Sequence, residues 1–145
     1  MLTNEERNLG ARWFEEVWNQ QRREAIEEMM APDAVLHEAG RDSVGPAAFH
    51  EFYDRLNSAF SNVRITVQDT IIDGDRACLR WEASLKHTGD GLGLPPTQKM
   101  IHVTGITIVR IANNKLVEAW QNWDMMGMME QIHDKGRSAT YVSAS

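Results

Sequence analysis

The chain has 145 residues, 42% of them hydrophobic and 25% charged, which suits one soluble domain with a real core. Its formal net charge of -6 argues against a nucleic-acid partner, which demands basic surface, and no apolar run is long enough to span a bilayer. The polar start "MLTNEERN" is no signal peptide, so a cytoplasmic protein is expected, and the lone Cys78 excludes an internal disulfide or a thiolate metal cluster.

In chain order, Thr3 to Glu6 has the form of a capping box and opens a helix whose apolar stripe is Leu9, Trp13 and Val17, flanked by Phe14 and Trp18. Polar residues at Gln20 to Arg23 interrupt it, and a short second helix through Ile26 and Met29 ends before Pro32. "DAVLHE" is a brief strand. Gly45-Pro46 then starts a third helix, with proline at the first helical position, where its missing N–H costs nothing. Phe49, Phe52, Tyr53, Leu56 and Phe60 form its apolar face.

From Val63 the period changes to two, and two hairpins follow. The first turns at Asp73-Gly74-Asp75, which sets Val67 opposite Trp81 and Ile71 opposite Ala77. Its odd positions through Leu79, Ala83 and Leu85 form the apolar face. The second turns around Asn114, and pairing Asn113 with Lys115 matches Arg110 to Glu118 on one face. The same register sets Ile111 against Val117, Val109 against Ala119 and Thr107 against Gln121 on the other. Helices followed by long antiparallel strands give an α+β fold, with three helices of the N-terminal half packed on one face of a curved sheet. Trp13, Phe14, Phe49, Tyr53, Trp81 and Trp123 would either fill the space between the layers or line a pocket there.

Polar residues among these aromatics are the site candidates. Gln121 shares its face with Val117, Ala119 and Trp123. An amide has no useful proton affinity near neutral pH, so Gln121 cannot be a general base, but it can donate to a carbonyl and accept from a hydroxyl. Alternatively, Gln121 and Thr107 bond each other in a filled core. His87 lies on the apolar face of its strand, as either a functional or a structural histidine. His37 shares parity with Val35 and would reach the pocket or the core. Asp69 interrupts an apolar face and is expected to be displaced by a bulge. Asp124 is expected to cap a short helix at "MMGMMEQI" rather than pair with His102 as a dyad. "TGDGLGLPPTQK" is glycine-rich but lacks the pattern of a phosphate loop, so it reads as a flexible lid or a long connection. The five histidines are scattered without metal-ligand spacing, so no metal is expected.

The segments "EVWNQ", "APDAVLHE", "GPAAFHEFYDRLNSAF", "KHTGDGLGLPPTQK", "VRIANNKLVEAWQNWD" and "MEQI", in this order between about Leu9 and Ile132, resemble the SnoaL-like polyketide cyclase family. The resemblance implies the nuclear-transport-factor-two-like cone, a curved antiparallel sheet around helices, with one domain at 1–135 and a flexible tail at 136–145. It also implies a homodimer, a deep apolar pocket, and an intramolecular aldol closure that uses no metal or cofactor. The family's acid/base aspartate falls on Gln121 and its helper histidine on Thr107, so both titrating groups are missing here. A histidine of the cyclase pattern matches His87, which remains as the catalytic candidate. Trp13, His37, Tyr53, Trp81, Thr107, Gln121 and Trp123 are expected around the ligand. The function implied is a cofactor-free cyclase, isomerase or lyase acting on a polyketide-like or other carbonyl-bearing molecule. The alternative is a protein of the same fold that binds such a molecule without turnover. Ile106, Ile108 and Trp120 would form the dimer face.

Overall fold

The structure is a computed structural model that describes residues 1–38 and 40–134, so the tail expected at 136–145 lies outside the described residues. The N-terminal capping box forms as expected: Thr3 Oγ1 accepts from the Glu6 N–H at 3.1 Å, and Glu6 Oε1 accepts from the Thr3 N–H at 3.0 Å. The first helix is not continuous. Helix α1 (Asn4–Arg7) breaks at Asn8, α2 (Leu9–Trp13) follows, and Phe14–Asn19 winds as a π-helix. That wider winding keeps Phe14, Val17 and Trp18 buried together, while Trp13 is only half-buried. Gln21 then takes a left-handed backbone (φ 57°), which ends the segment before α3 (Ala25–Met29).

Strand β1 begins earlier than the sequence suggests, at Met30–Glu38, and a short partner β2 (Arg41–Val44), absent from the sequence reading, folds back on it. Helix α4 (Gly45–Ala59) starts at Gly45-Pro46 as expected. Gly45 has φ 83°, and a Cβ there would lie 2.9 Å from the Pro32 carbonyl oxygen, so both backbone and space require glycine. Four long strands follow: β3 (Phe60–Asp73), β4 (Arg76–His87), β5 (Met100–Ala112) and β6 (Lys115–Trp123). Helix α5 (Met125–His133) ends the described chain.

The strands form one sheet in the order β2-β1-β6-β5-β4-β3. All neighbours are antiparallel except β1 and β6, which run parallel, so the expected antiparallel cone is in fact a mixed sheet. The parallel pair joins two strands far apart in sequence and required no hairpin signal. The inner face carries Ala77, Leu79, Trp81, Ala83 and Leu85 on β4, with Ile101, Val103 and Val109 on β5, all buried against the helices.

Both hairpin registers hold near their centres and slip at bulges. Val67 faces Trp81 as expected, but a bulge between Val67 and Asp69 shifts the pairing, so Ala77 faces Ile72 and Ile71 faces Cys78. The shift reverses parity: Ile71 is 68% exposed, while Asp69 points outward to Arg80 at 2.6 Å. In the second hairpin Arg110 meets Glu118, Val109 meets Ala119 and Thr107 meets Gln121, as the charge and apolar matching predicts. Its turn is tighter than expected. Asn113 and Asn114 both adopt positive φ in a two-residue turn, Ala112 rather than Asn113 pairs with Lys115, and Ile111 faces Leu116 rather than Val117.

Candidate functional site

Two apolar cavities lie between the inner sheet face and the helices. One, of about 50 Å³, is lined by Phe14, Trp18, Phe60, Trp81, Trp123 and Met128 among others. The second, of about 40 Å³, is lined by Trp13, Phe49, Leu36, Thr107 and Ala119 among others. Phe14 and Gln121 line both, so they stand where the two lobes meet. A water needs roughly 10–15 Å³ of such space, so each lobe holds a few waters, and a bicyclic molecule would need the lobes joined.

Packing explains how strands deliver these side chains. A Cβ on Gly105 would lie 2.2 Å from the Trp81 indole, so glycine on β5 lets that ring lie flat across the strand. From there Trp81 Nε1 donates to Thr107 Oγ1 at 3.0 Å. Thr107 is thereby engaged and buried, and Gln121 does not bond it, although the two residues face one another across β5 and β6. Gln121 instead donates from Nε2 to Glu38 Oε1 at 3.5 Å, the long limit for such a bond. Its Oε1 has no hydrogen-bond partner among the described residues.

The remaining candidates separate. Trp13, Trp81, Thr107, Gln121 and Trp123 line the cavities. Tyr53 does not: it is buried one layer back, and its hydroxyl donates to the Val17 carbonyl at 3.0 Å and to Gln21 Oε1 at 3.3 Å. Burial raises its pKa, which keeps the phenol neutral.

His37 points to the opposite, outer face of the sheet. It bonds Glu118 at 2.7 Å and Asp42 at 2.8 Å and stacks on Trp120. The reason is parity. Ala34 and Leu36 are the buried residues on β1, so Val35 and His37 alternate away from them. Hydrogen bonds from Glu118 and then Asp42 raise the His37 pKa, and the same bond lowers that of Glu118.

His87 is fully buried but lines neither cavity. Its Nδ1 accepts from the Thr97 N–H at 3.3 Å and lies 3.1 Å from Thr97 Oγ1, tying the start of the glycine-rich connection to its end. Its Nε2 is buried without a partner, beside the Phe60 ring.

The connection itself is docked on the end of α4. The Thr88 and Gly89 N–H groups both donate to the Ala59 carbonyl, at 3.1 and 3.0 Å. Cβ atoms on Gly89 and Gly91 would lie 1.9 Å from Ser58 O and Ser58 Oγ, so these glycines serve close backbone approach.

The sequence reading passed over Glu38. It is half-buried on the inner side of β1, in step with Ala34 and Leu36, and burial raises its carboxyl pKa while Arg41 opposes the rise. The signal was available: a carboxylate two residues beyond Leu36 on an apolar stripe. Among the described residues no group of three or more His, Cys, Asp or Glu side chains could hold a metal ion.

A family model described as SnoaL-like polyketide cyclase matches residues 8–132. A search of curated proteins gives no match. Among solved structures, a protein from Acidithiobacillus ferrooxidans provisionally named a polyketide cyclase is 28% identical, with TM-score 0.79, over 90% of this chain and 96% of its own. A protein from Jannaschia sp. CCS1 provisionally named a SnoaL-like polyketide cyclase is 22% identical, with TM-score 0.81, over 88% of this chain and 91% of its own. A protein of ketosteroid isomerase-like fold from Catenulispora acidiphila shares the fold at 14% identity and TM-score 0.71, over 85% of this chain and 90% of its own.

Proposed function

The chain belongs to the SnoaL-like polyketide cyclase family, and from that premise we propose that it binds an apolar, carbonyl-bearing small molecule of polyketide type between its helices and the inner sheet face. The observation that carries this reading is Gln121, a side-chain amide standing between two aromatic lobes with an unpartnered Oε1. Buried amides are ordinarily satisfied by protein, so an open acceptor in an apolar wall fits a ligand hydroxyl. Its Nε2 has a second hydrogen to offer a ligand carbonyl.

The aldol closure implied for the family lacks its acid/base pair here, because neither Gln121 nor Thr107 ionises. The protein is therefore read as a cofactor-free enzyme whose chemistry differs from that closure. A second reading, a protein that binds without turnover, is favoured by the engagement of Thr107 with Trp81. Cytoplasmic location and a homodimer formed through the outer sheet face complete the proposal. In its support, no helix among the described residues is long and apolar enough to cross a membrane, and Ile106 is 48% exposed on that face.

The test is calorimetric titration of an aromatic polyketide analogue into the wild type and Gln121→Leu. Leucine keeps the approximate volume but removes donor and acceptor, so affinity should fall by about 1–3 kcal/mol with little change in fold stability. Equal affinities would make Gln121 a plain wall residue, and no binding by the wild type would sink the reading.

A further inference from the structure

We infer that Glu38 is the proton-transfer residue of this pocket, acting with Gln121 on an enolisable ketone: Glu38 takes the proton α to the carbonyl while Gln121 holds the carbonyl oxygen. The inference rests on the reading of the cavities as a ligand site and adds the class of reaction.

The three groups that the sequence offered for proton transfer stand elsewhere. Asp69 is held by Arg80 in solvent, His37 lies on the outer face, and His87 lines neither cavity. Glu38 is positioned by the parallel pairing of β1 with β6. That register sets Leu36 beside Ala119 and His37 beside Trp120, and one step further Glu38 meets Gln121 on the inner face. Leu36, Ala119 and Gln121 all line the same lobe, so the carboxylate closes the row that this lobe begins. Its only hydrogen bond to a side chain is the 3.5 Å contact with Gln121, which is weak enough to yield to a ligand. Because the two N–H bonds of one amide diverge, a carbonyl oxygen on the second hydrogen brings its own α-carbon towards the carboxylate.

The step balances without a further reactant. The C–H bond α to the carbonyl breaks and its proton moves to a Glu38 oxygen. The C–H electron pair becomes a C=C bond, and the carbonyl π pair moves onto oxygen as an enolate, which accepts from Gln121 Nε2–H. Return of the proton to the same carbon gives exchange, and return to a conjugated carbon gives isomerisation. Burial of Glu38 raises its pKa, which makes its carboxylate a stronger base, and Arg41 across the β1–β2 hairpin is the charged group that moderates the rise.

The probe is 1-tetralone, an apolar bicyclic ketone with one enolisable methylene, incubated with the protein in D2O and followed by proton NMR. Quenching of the pocket tryptophans measures its binding independently. The wild type should exchange the methylene protons faster than buffer, with a rate that rises with pH through one ionisation above the ordinary glutamate range. Glu38→Gln should lower the rate at least about 100-fold while still binding the ketone, and Glu38→Asp should restore part of it. Thermal melts confirm that each variant is folded, and carbon NMR titration of the Glu38 carboxyl reads its ionisation without relying on any variant. Binding without exchange in the wild type, or undiminished exchange in Glu38→Gln, would overturn the inference and leave the binding proposal standing. Neither binding nor exchange would overturn both.

Discussion

At the scale of single residues, the face on which a side chain emerges decides its chemistry. His37 and Glu38 are neighbours on β1, yet one is bridged to Glu118 and Asp42 outside and the other meets Gln121 inside. The outer bridge gives a signed prediction. Glu118 and Asp42 hold the His37 pKa above its ordinary value of 6.5, so the folded state binds that proton more tightly than the unfolded chain does. The resulting stabilisation is fully present below about pH 6.5, while the carboxylates remain ionised, and is lost as pH rises through the folded-state pKa. Urea unfolding of the wild type and His37→Asn at a series of pH values should therefore show a stability difference that shrinks from mildly acidic to alkaline pH. A difference that grows with pH would refute the assignment.

At the scale of elements, irregularities decide which residues enter the site. The bulge between Val67 and Asp69 turns Asp69 out to Arg80 and brings Ile72 opposite Ala77. Helix α5 depends on a similarly local device. Asp124 Oδ1 accepts from the Gly127 N–H at 2.9 Å, and the helix then buries Met128 and Ile132, with Met128 on the cavity wall. Asp124→Ala removes the cap and should destabilise the protein by about 1 kcal/mol in denaturant unfolding. An unchanged midpoint would mean that packing of Met128 and Ile132 alone holds α5. The cap was legible in the sequence because its geometry is local. Bulges were less so: Asp69 betrayed one by breaking an apolar run, whereas the shift near Val117 left no such mark.

At the scale of the whole molecule, the outer sheet face carries one continuous row. Ile71, Cys78, Ile108, Trp120 and His37 are successive cross-strand partners from β3 to β1, with Ile106 beside them. A second copy of the chain would withdraw this row from water, which is the reason for expecting a homodimer. Sedimentation of the wild type at micromolar concentration should report a dimer, and Trp120→Glu, which puts a charge in the middle of the row, should give monomer or aggregate. A well-behaved monomeric wild type would remove the proposal.

The sequence by itself determined what depends on near neighbours. It specified the capping box at Thr3, the helix start at Gly45-Pro46, both hairpins, and the facing of Thr107 and Gln121. Each follows from a period, a turn residue or a charge match within a few residues, and the family resemblance extended these to the fold. Only the tertiary structure decided the pairing of β1 with β6, because parallel partners so far apart share no turn that fixes their register. That one pairing sends His37 outward, sets Glu38 beside Gln121, and so settles which ionisable group can face the cavities.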